Sequence, residues 1–170
     1  MNIILIGFMG CGKSSLGIRL AKKLGYEFCD TDQMIEKESE KTIRTIFENE
    51  GEEYFRNLET STISNLIGNM NNSVLSVGGG LPIRKGNGDL LKQLGHVIYL
   101  KTSKETILKR LSGDKTRPLL SGDNKEEKVE DLLNLREPIY EMAANDIVIT
   151  DNKSFDDMIS DIIKLVNIPE

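Results

Sequence analysis

The residues best suited to chemistry lie near the start of the chain. Gly7-Phe8-Met9-Gly10-Cys11-Gly12-Lys13-Ser14 satisfies the pattern GxxxxGK[ST] at every fixed position, after the apolar run Ile3–Ile6 and before a stretch of helical periodicity. Glycines at these places let backbone N–H groups turn inward around phosphate oxygens, and the N-terminus of the following helix adds its positive dipole end. Lys13 is expected to reach the β- and γ-phosphates of a nucleotide, and the Ser14 hydroxyl to sit on Mg²⁺. Cys11 fills a variable position of the loop and reads as a small residue that fits there.

Two carboxylates follow, in Cys29-Asp30-Thr31-Asp32 at the end of a second apolar run. In an open parallel sheet, ligands bind outside the carboxyl ends of the strands. Asp30 and Asp32 are therefore expected at the same edge as the phosphate loop. They are two apart, which in an extended stretch points both the same way. One could hold the metal and the other a substrate hydroxyl; Asp32 could also cap the next helix. Gly78-Gly79-Gly80 closes a third run at that edge, where a ligand can approach the backbone closely. The chain carries 15 lysines but only 7 arginines. Arg offers a planar fork for carboxylate and phosphate that Lys cannot copy, so each Arg is a candidate for recognition.

The elements that must position these groups alternate. Strands are predicted at 2–6, 26–29, 73–77, 97–101 and 147–150. A helix is predicted from Lys13 to Leu24, with Gly25 as its C-cap. Another lies near 33–40, capped by Thr31 or Asp32. Two helices broken at Gly51 fill 42–68, and a short helix lies near 89–94. A helix capped by Ser103 runs through Leu111. A long one from Lys125 to about Met142 is interrupted by Pro138, and a last one spans 155–166. Five strands separated by helices predict a parallel sheet covered on both faces. Residues 112–124, rich in Gly, Ser, Asp and Asn, read as a long functional loop.

Taken together, these residues resemble the shikimate kinases. The resemblance rests on Gly7–Ser14, Asp30-Thr31-Asp32, Ile46-Phe47 with Glu50-Gly51-Glu52 and Phe55-Arg56, then Glu59, Gly78-Gly79-Gly80, Arg117-Pro118-Leu119-Leu120, and Arg136 with Pro138 and Tyr140. It implies an α/β fold of P-loop type, three-layer α/β/α, with strand order 2-3-1-4-5 as in nucleoside monophosphate kinases. It implies a single domain over 1–170, with a substrate-binding helical segment near 32–61 and a lid near 112–124. The implied reaction is transfer of the γ-phosphoryl of ATP to the 3-hydroxyl of shikimate, with Mg²⁺. By the same resemblance Gly10, Cys11, Gly12, Lys13, Ser14 and Ser15 hold ATP, Arg110 lies over the adenine, and Arg117 reaches in from the lid. Ser14 and Asp30 serve the metal. Lys13, Asp32 and Arg117 form the catalytic set. Asp32, Gly78, Gly79 and Gly80 surround the acceptor, and Arg56 and Arg136 clamp its carboxylate, as a planar fork would. Ser15 stands where many members have Thr, and Leu81-Pro82-Ile83-Arg84-Lys85 is more basic than the family pattern.

Bulk properties agree with that class. The chain has 170 residues, 29% of them charged, and a net charge of −5, which argues against a nucleic-acid partner. Two cysteines without a CxxC are too few for a disulfide framework, and no apolar run is long enough to span a bilayer. The first residues show no leader pattern. A monomer working in the cytoplasm, without membrane or nucleic-acid partners, is the expectation. The alternatives are a related small-molecule kinase for gluconate or a nucleotide, and a nucleotide-binding regulatory module without catalysis.

Overall fold

The computed structural model describes residues 1–112 and 123–167. Strand β1 (Ile3–Ile6) leads through the phosphate loop into α1 (Lys13–Leu24), and β2 (Glu27–Asp30) runs directly into α2 (Thr31–Ser39). Helices α3 (Ile43–Glu50) and α4 (Glu52–Leu66) meet at Gly51, followed by β3 (Ser73–Ser76), a 3₁₀ turn at Leu81–Ile83 and α5 (Asn87–Leu94). Then come β4 (His96–Lys101), α6 (Lys104–Leu111), α7 (Lys125–Ala143), β5 (Asp146–Ile149) and α8 (Phe155–Leu165).

The strands form one parallel sheet in the order β2-β3-β1-β4-β5, the order the family resemblance implied. β1 lies at its centre, with Ile4 opposite Leu75 of β3 and Val97 of β4. Its side chains alternate between two cores, as the period of a strand requires. Ile4 and Ile6 join Phe8, Leu75, Tyr99 and Tyr140 on one face. Ile3 and Leu5 join Leu16, Leu20, Ile98 and Ile162 on the other. A third cluster, Ile35, Ile46 and Phe55, gives α2, α3 and α4 a core of their own beside the sheet. That cluster fixes α4, the helix that carries Arg56 and Glu59.

The local predictions hold for α1 and its Gly25 cap, and Ser103 caps α6 through Thr106 N–H. Two expectations are corrected. The cap of α2 is Asp30, not Thr31 or Asp32: its carboxylate accepts from the amides of Asp32 and Gln33, so the helix starts two residues early. Pro138 does not interrupt α7, which runs unbroken from Lys125 to Ala143. Proline forfeits one helical hydrogen bond, but Leu133, Arg136 and Tyr140 are buried along the same face and hold the helix by packing. The 3₁₀ turn at Leu81–Ile83, with Pro82 in its first turn, follows the triple glycine and was not foreseen.

Candidate active site

The phosphate loop is built between a buried strand and a helix start. Gly12 caps α1 with φ 95°, a left-handed conformation that favours glycine. Lys13 folds back over the loop, and its Nζ donates to the carbonyls of Gly7 (2.8 Å) and Phe8 (3.1 Å). Arg110 reaches from α6 to donate through Nη1 to the Gly10 carbonyl at 3.1 Å. Cys11 is buried and packs with the Leu16–Leu20 core, the role its size suggested. A cavity of about 300 Å³ opens on the loop, lined by Lys13, Ser14, Ser15, Asp30, Asp32 and Ser76 among others.

The two carboxylates part company at the end of β2. Asp30 ends the strand and divides its oxygens. Oδ1 accepts from the amides of Asp32 (3.0 Å) and Gln33 (3.4 Å), while Oδ2 accepts from Ser14 Oγ at 3.1 Å. Ser14 Oγ also lies 3.4 Å from Ser76 Oγ. Asp32 already belongs to the first turn of α2, so strand alternation does not apply to the pair, contrary to the expectation that both point the same way. Its carboxylate lies against Gly78 instead. A Cβ on Gly78 would come within 2.8 Å of Asp32 Oδ1 and 3.0 Å of Glu59 Oε1, so any side chain there would displace both carboxylates.

Ser14, Asp30 and Ser76 form a small set of hard oxygen donors beside the phosphate cavity. Among the described residues no group of three or more His, Cys, Asp or Glu could enclose a metal. The set fits Mg²⁺, which takes one or two carboxylates and completes its shell with water and substrate phosphates. It does not fit a cation that needs a full protein cage.

A second cavity, of about 100 Å³, is lined by Asp32, Phe47, Phe55, Arg56, Glu59, Gly78, Gly79, Gly80 and Arg136 with Met9 and Ile43. Met9, Asp32, Gly78 and Gly79 line both cavities. Arg56 donates through Nη1 to Glu59 Oε2 (2.7 Å) and through Nη2 to Glu52 Oε1 (3.2 Å). Its guanidinium passes so close to Gly80 that a Cβ there would lie 2.3 Å from Nη1. Arg136 enters from α7 with 5% of its surface exposed and packs over the Phe8 ring. Its Nη1 is buried without a hydrogen-bond partner among the described residues. Glu59 is 1% exposed. Its carboxyl is raised to about 7, because burial, with a smaller push from Asp32, outweighs the downward pull of Arg56 and Arg136. The cavity thus holds two guanidinium forks, one of them short of acceptors, and an apolar wall of Phe47 and Phe55, whose ring centroids are 5.0 Å apart. That is a site for a small, flat anion with an apolar face.

Of the residues picked out in the sequence, Gly10, Gly12, Lys13, Ser14, Ser15, Asp30, Asp32, Gly78 and Gly79 line the first cavity, and Arg56, Gly80 and Arg136 join Asp32 in the second. Arg110 lies at the phosphate loop without lining either. Arg117 and most of the expected lid, 113–122, lie outside the described residues. Reading the sequence left Glu52 and Glu59 without roles, although their spacing from Arg56, four before and three after, puts them on one helix face. Ser76 had no signal beyond its place at a strand end, and Thr31, expected only as a possible helix cap, instead accepts from the Gly78 amide at 3.1 Å.

A phosphate loop after the central strand, a carboxylate at the end of the edge strand β2, and the order β2-β3-β1-β4-β5 define a P-loop kinase of the nucleoside-monophosphate-kinase type. Comparison with known proteins narrows the class. The family model described as shikimate kinase matches residues 9–167. A shikimate kinase of Persephonella marina is 47% identical over 142 residues, 84% of this chain and 85% of that one. One from Thioalkalivibrio sulfidiphilus is 44% identical over 161 residues, 95% of this chain and 84% of its own. Among solved structures, shikimate kinase from Acinetobacter baumannii in complex with shikimate superposes with a TM-score of 0.92 at 42% identity, covering 98% of this chain and 92% of that one. A deoxyadenosine kinase from M. mycoides, 21% identical with a TM-score of 0.61, shares the fold alone. The chain belongs to the shikimate kinase family.

Proposed function

We propose that the chain transfers the γ-phosphoryl group of ATP to the 3-hydroxyl of shikimate, giving shikimate 3-phosphate and ADP, a step toward chorismate and the aromatic amino acids. The observation that carries this reading is the junction of two cavities at Asp32, one lined by a phosphate loop and the other by Arg56 and Arg136. Family membership supports it independently.

In this reading the amides of Gly10–Ser15 and the Lys13 ammonium bind the phosphates. Lys13 exchanges its two loop carbonyls for phosphate oxygens and stabilises the charge that builds on the transferred group. Ser14 and Asp30 are the residues that would hold Mg²⁺, which when bound neutralises phosphate charge. Arg56 and Arg136 grip the shikimate carboxylate, and Phe47 and Phe55 face its ring. That leaves the far side of the ring toward Asp32, whose carboxylate orients the 3-hydroxyl and takes its proton as transfer completes. The transition state is loose, so positioning matters more than the strength of the base. Arg110 lies next to the phosphate loop, which supports an adenine-side role.

We further read 1–170 as one domain in which the segment 32–61 binds the acceptor; the separate core under α2, α3 and α4 supports this. We also read the chain as a monomer working in the cytoplasm; the net charge of −5 supports the absence of a nucleic-acid partner. Among the described residues no helix is long and apolar enough to cross a membrane.

The test is ADP formation with shikimate, gluconate and a nucleoside monophosphate as separate acceptors. Turnover with shikimate alone is expected. Preference for gluconate or for the nucleotide would replace this reading, and binding of ATP without transfer to any acceptor would make the chain a non-catalytic module.

A further inference from the structure

Tyr140 lies one helical turn beyond Arg136 on α7 and is fully buried. A buried tyrosine ordinarily finds a partner for its hydroxyl. Here the partner is unusual. Oη donates to the carbonyl of Gly79 at 2.6 Å, inside the glycine turn that walls both cavities. The neighbouring carbonyls of that turn are served by the backbone, Gly78 by the Leu81 amide and Gly80 by the Ile83 amide. Among the described residues only the phenol serves Gly79.

The geometry gives that bond a consequence in the acceptor cavity. Across a trans peptide, the C=O of one residue and the N–H of the next point in opposite directions, and the chain has no cis peptide among its described residues. Holding the Gly79 carbonyl toward α7 therefore turns the Gly80 N–H away from α7. Among the described residues that amide has no hydrogen-bond partner. The tyrosine ring cannot swing freely, because it packs on Tyr99 of β4 with centroids 5.2 Å apart. Burial pushes the hydroxyl well above the usual tyrosine range, so it stays a proton donor at any working pH.

We infer that Tyr140 is a positioning residue for the acceptor: its hydroxyl aims the Gly80 N–H and locks the glycine turn in register with Arg136, so that the turn and the carboxylate clamp meet the same ligand. The inference rests on the proposed shikimate site. It predicts that the hydroxyl contributes to acceptor binding without touching the acceptor, and contributes nothing to nucleotide binding.

The experiment compares wild type, Tyr140→Phe and Tyr99→Phe in the full chain, with steady-state kinetics for both substrates and calorimetric titration of shikimate. Tyr140→Phe keeps the ring stack and removes the hydroxyl, which donates to Gly79 and lies against the Arg136 guanidinium. Its KM and Kd for shikimate are expected to rise about five- to tenfold, the loss of one oriented hydrogen bond, with the KM for MgATP within about twofold of wild type. Tyr99→Phe removes a hydroxyl from the same stack that does not reach the turn, and is expected to leave both constants unchanged. An unchanged shikimate KM in Tyr140→Phe would overturn the inference, whether or not its melting temperature falls. So would equal losses for both substrates, the same selective loss in Tyr99→Phe, or a Tyr140→Phe chain that does not fold, since each makes the hydroxyl structural. Failure of the wild type itself to bind or phosphorylate shikimate would instead strike the proposed function, and this inference with it.

Discussion

Arg56 holds Glu59 at 2.7 Å, one turn along the same helix, and the two lie in a cavity that Asp32 and Arg136 also line. The fork proposed to grip the acceptor's carboxylate already grips one from its own helix. Glu59 keeps Arg56 aimed, while Glu52 at 3.2 Å occupies its more exposed side.

Glu59 makes stability depend on pH. Its carboxyl, pushed up to about 7 by burial, is protonated more readily in the folded chain than in the unfolded one. A group of this kind favours the fold most below its unfolded pKa, near 4.5, and that advantage is lost as pH rises through 7. Relative to Glu59→Gln, which cannot titrate, the wild type should lose about 1–3 kcal/mol between pH 5 and 8, then level off. Urea unfolding of both proteins across that range measures it. A difference that is flat, or that grows with pH, would mean Arg56 keeps Glu59 ionised throughout.

Arg136 sets stability against function. A buried guanidinium with an unpartnered Nη1 carries a desolvation penalty in the free protein that an apolar side chain of similar length would not. Arg136→Met should therefore melt no lower than wild type, while its shikimate affinity falls at least about tenfold. Arg56→Lys should weaken shikimate similarly and leave MgATP alone, since Lys keeps the charge but loses the fork. Thermal melts and titrations with both ligands decide; a large fall in melting temperature with shikimate affinity intact would make Arg136 a structural counter-ion.

Among the described residues Lys13 hydrogen-bonds within its own loop, to the Gly7 and Phe8 carbonyls and Cys11 Sγ. Lys13→Ala should lower kcat by about 10²- to 10³-fold, as loss of a transition-state charge partner does. Circular dichroism should show the fold intact. Turnover near normal in a folded Lys13→Ala protein would remove Lys13 from the catalytic set.

How far the sequence foretold these roles depended on how local their causes are. The phosphate loop, α1 and the Gly25 cap are written within a few residues of one another, and all were legible. The start of α2 was not, because Asp30 can end a strand and cap a helix at once, and spacing alone favoured the later residues. The glycine turn was legible as a place of close ligand approach, but Arg56 and Arg136 were identified through the resemblance to a family. Their convergence depends on α4, β3 and α7 meeting in space, which no local pattern encodes. The same holds for Glu59, whose raised pKa comes from burial, and for Tyr140, whose partner lies 61 residues away.

Asp30 has two jobs that two substitutions separate. Asn is as good an N-cap as Asp, whereas Ala is not. Asp30→Asn should keep the stability of α2, and Asp30→Ala should cost about 1 kcal/mol. Both should raise the Mg²⁺ concentration needed for half-maximal activity, with shikimate KM almost unchanged. Asp32→Asn should do the reverse, losing shikimate use at saturating Mg²⁺. Rescue of Asp32→Asn by excess Mg²⁺ would exchange the two assignments.

The central claim is that the second cavity delivers the 3-hydroxyl of shikimate by its carboxylate. The direct measurement is phosphorus NMR of wild-type reactions containing MgATP with either shikimate or its methyl ester. With shikimate, a new phosphomonoester coupled to the proton on C3 should appear as ADP accumulates. With the ester, which gives the two forks no anion, kcat/KM should fall by at least about 10²-fold. Phosphate on another hydroxyl, equal turnover of acid and ester, or ADP released with inorganic phosphate alone would contradict the account.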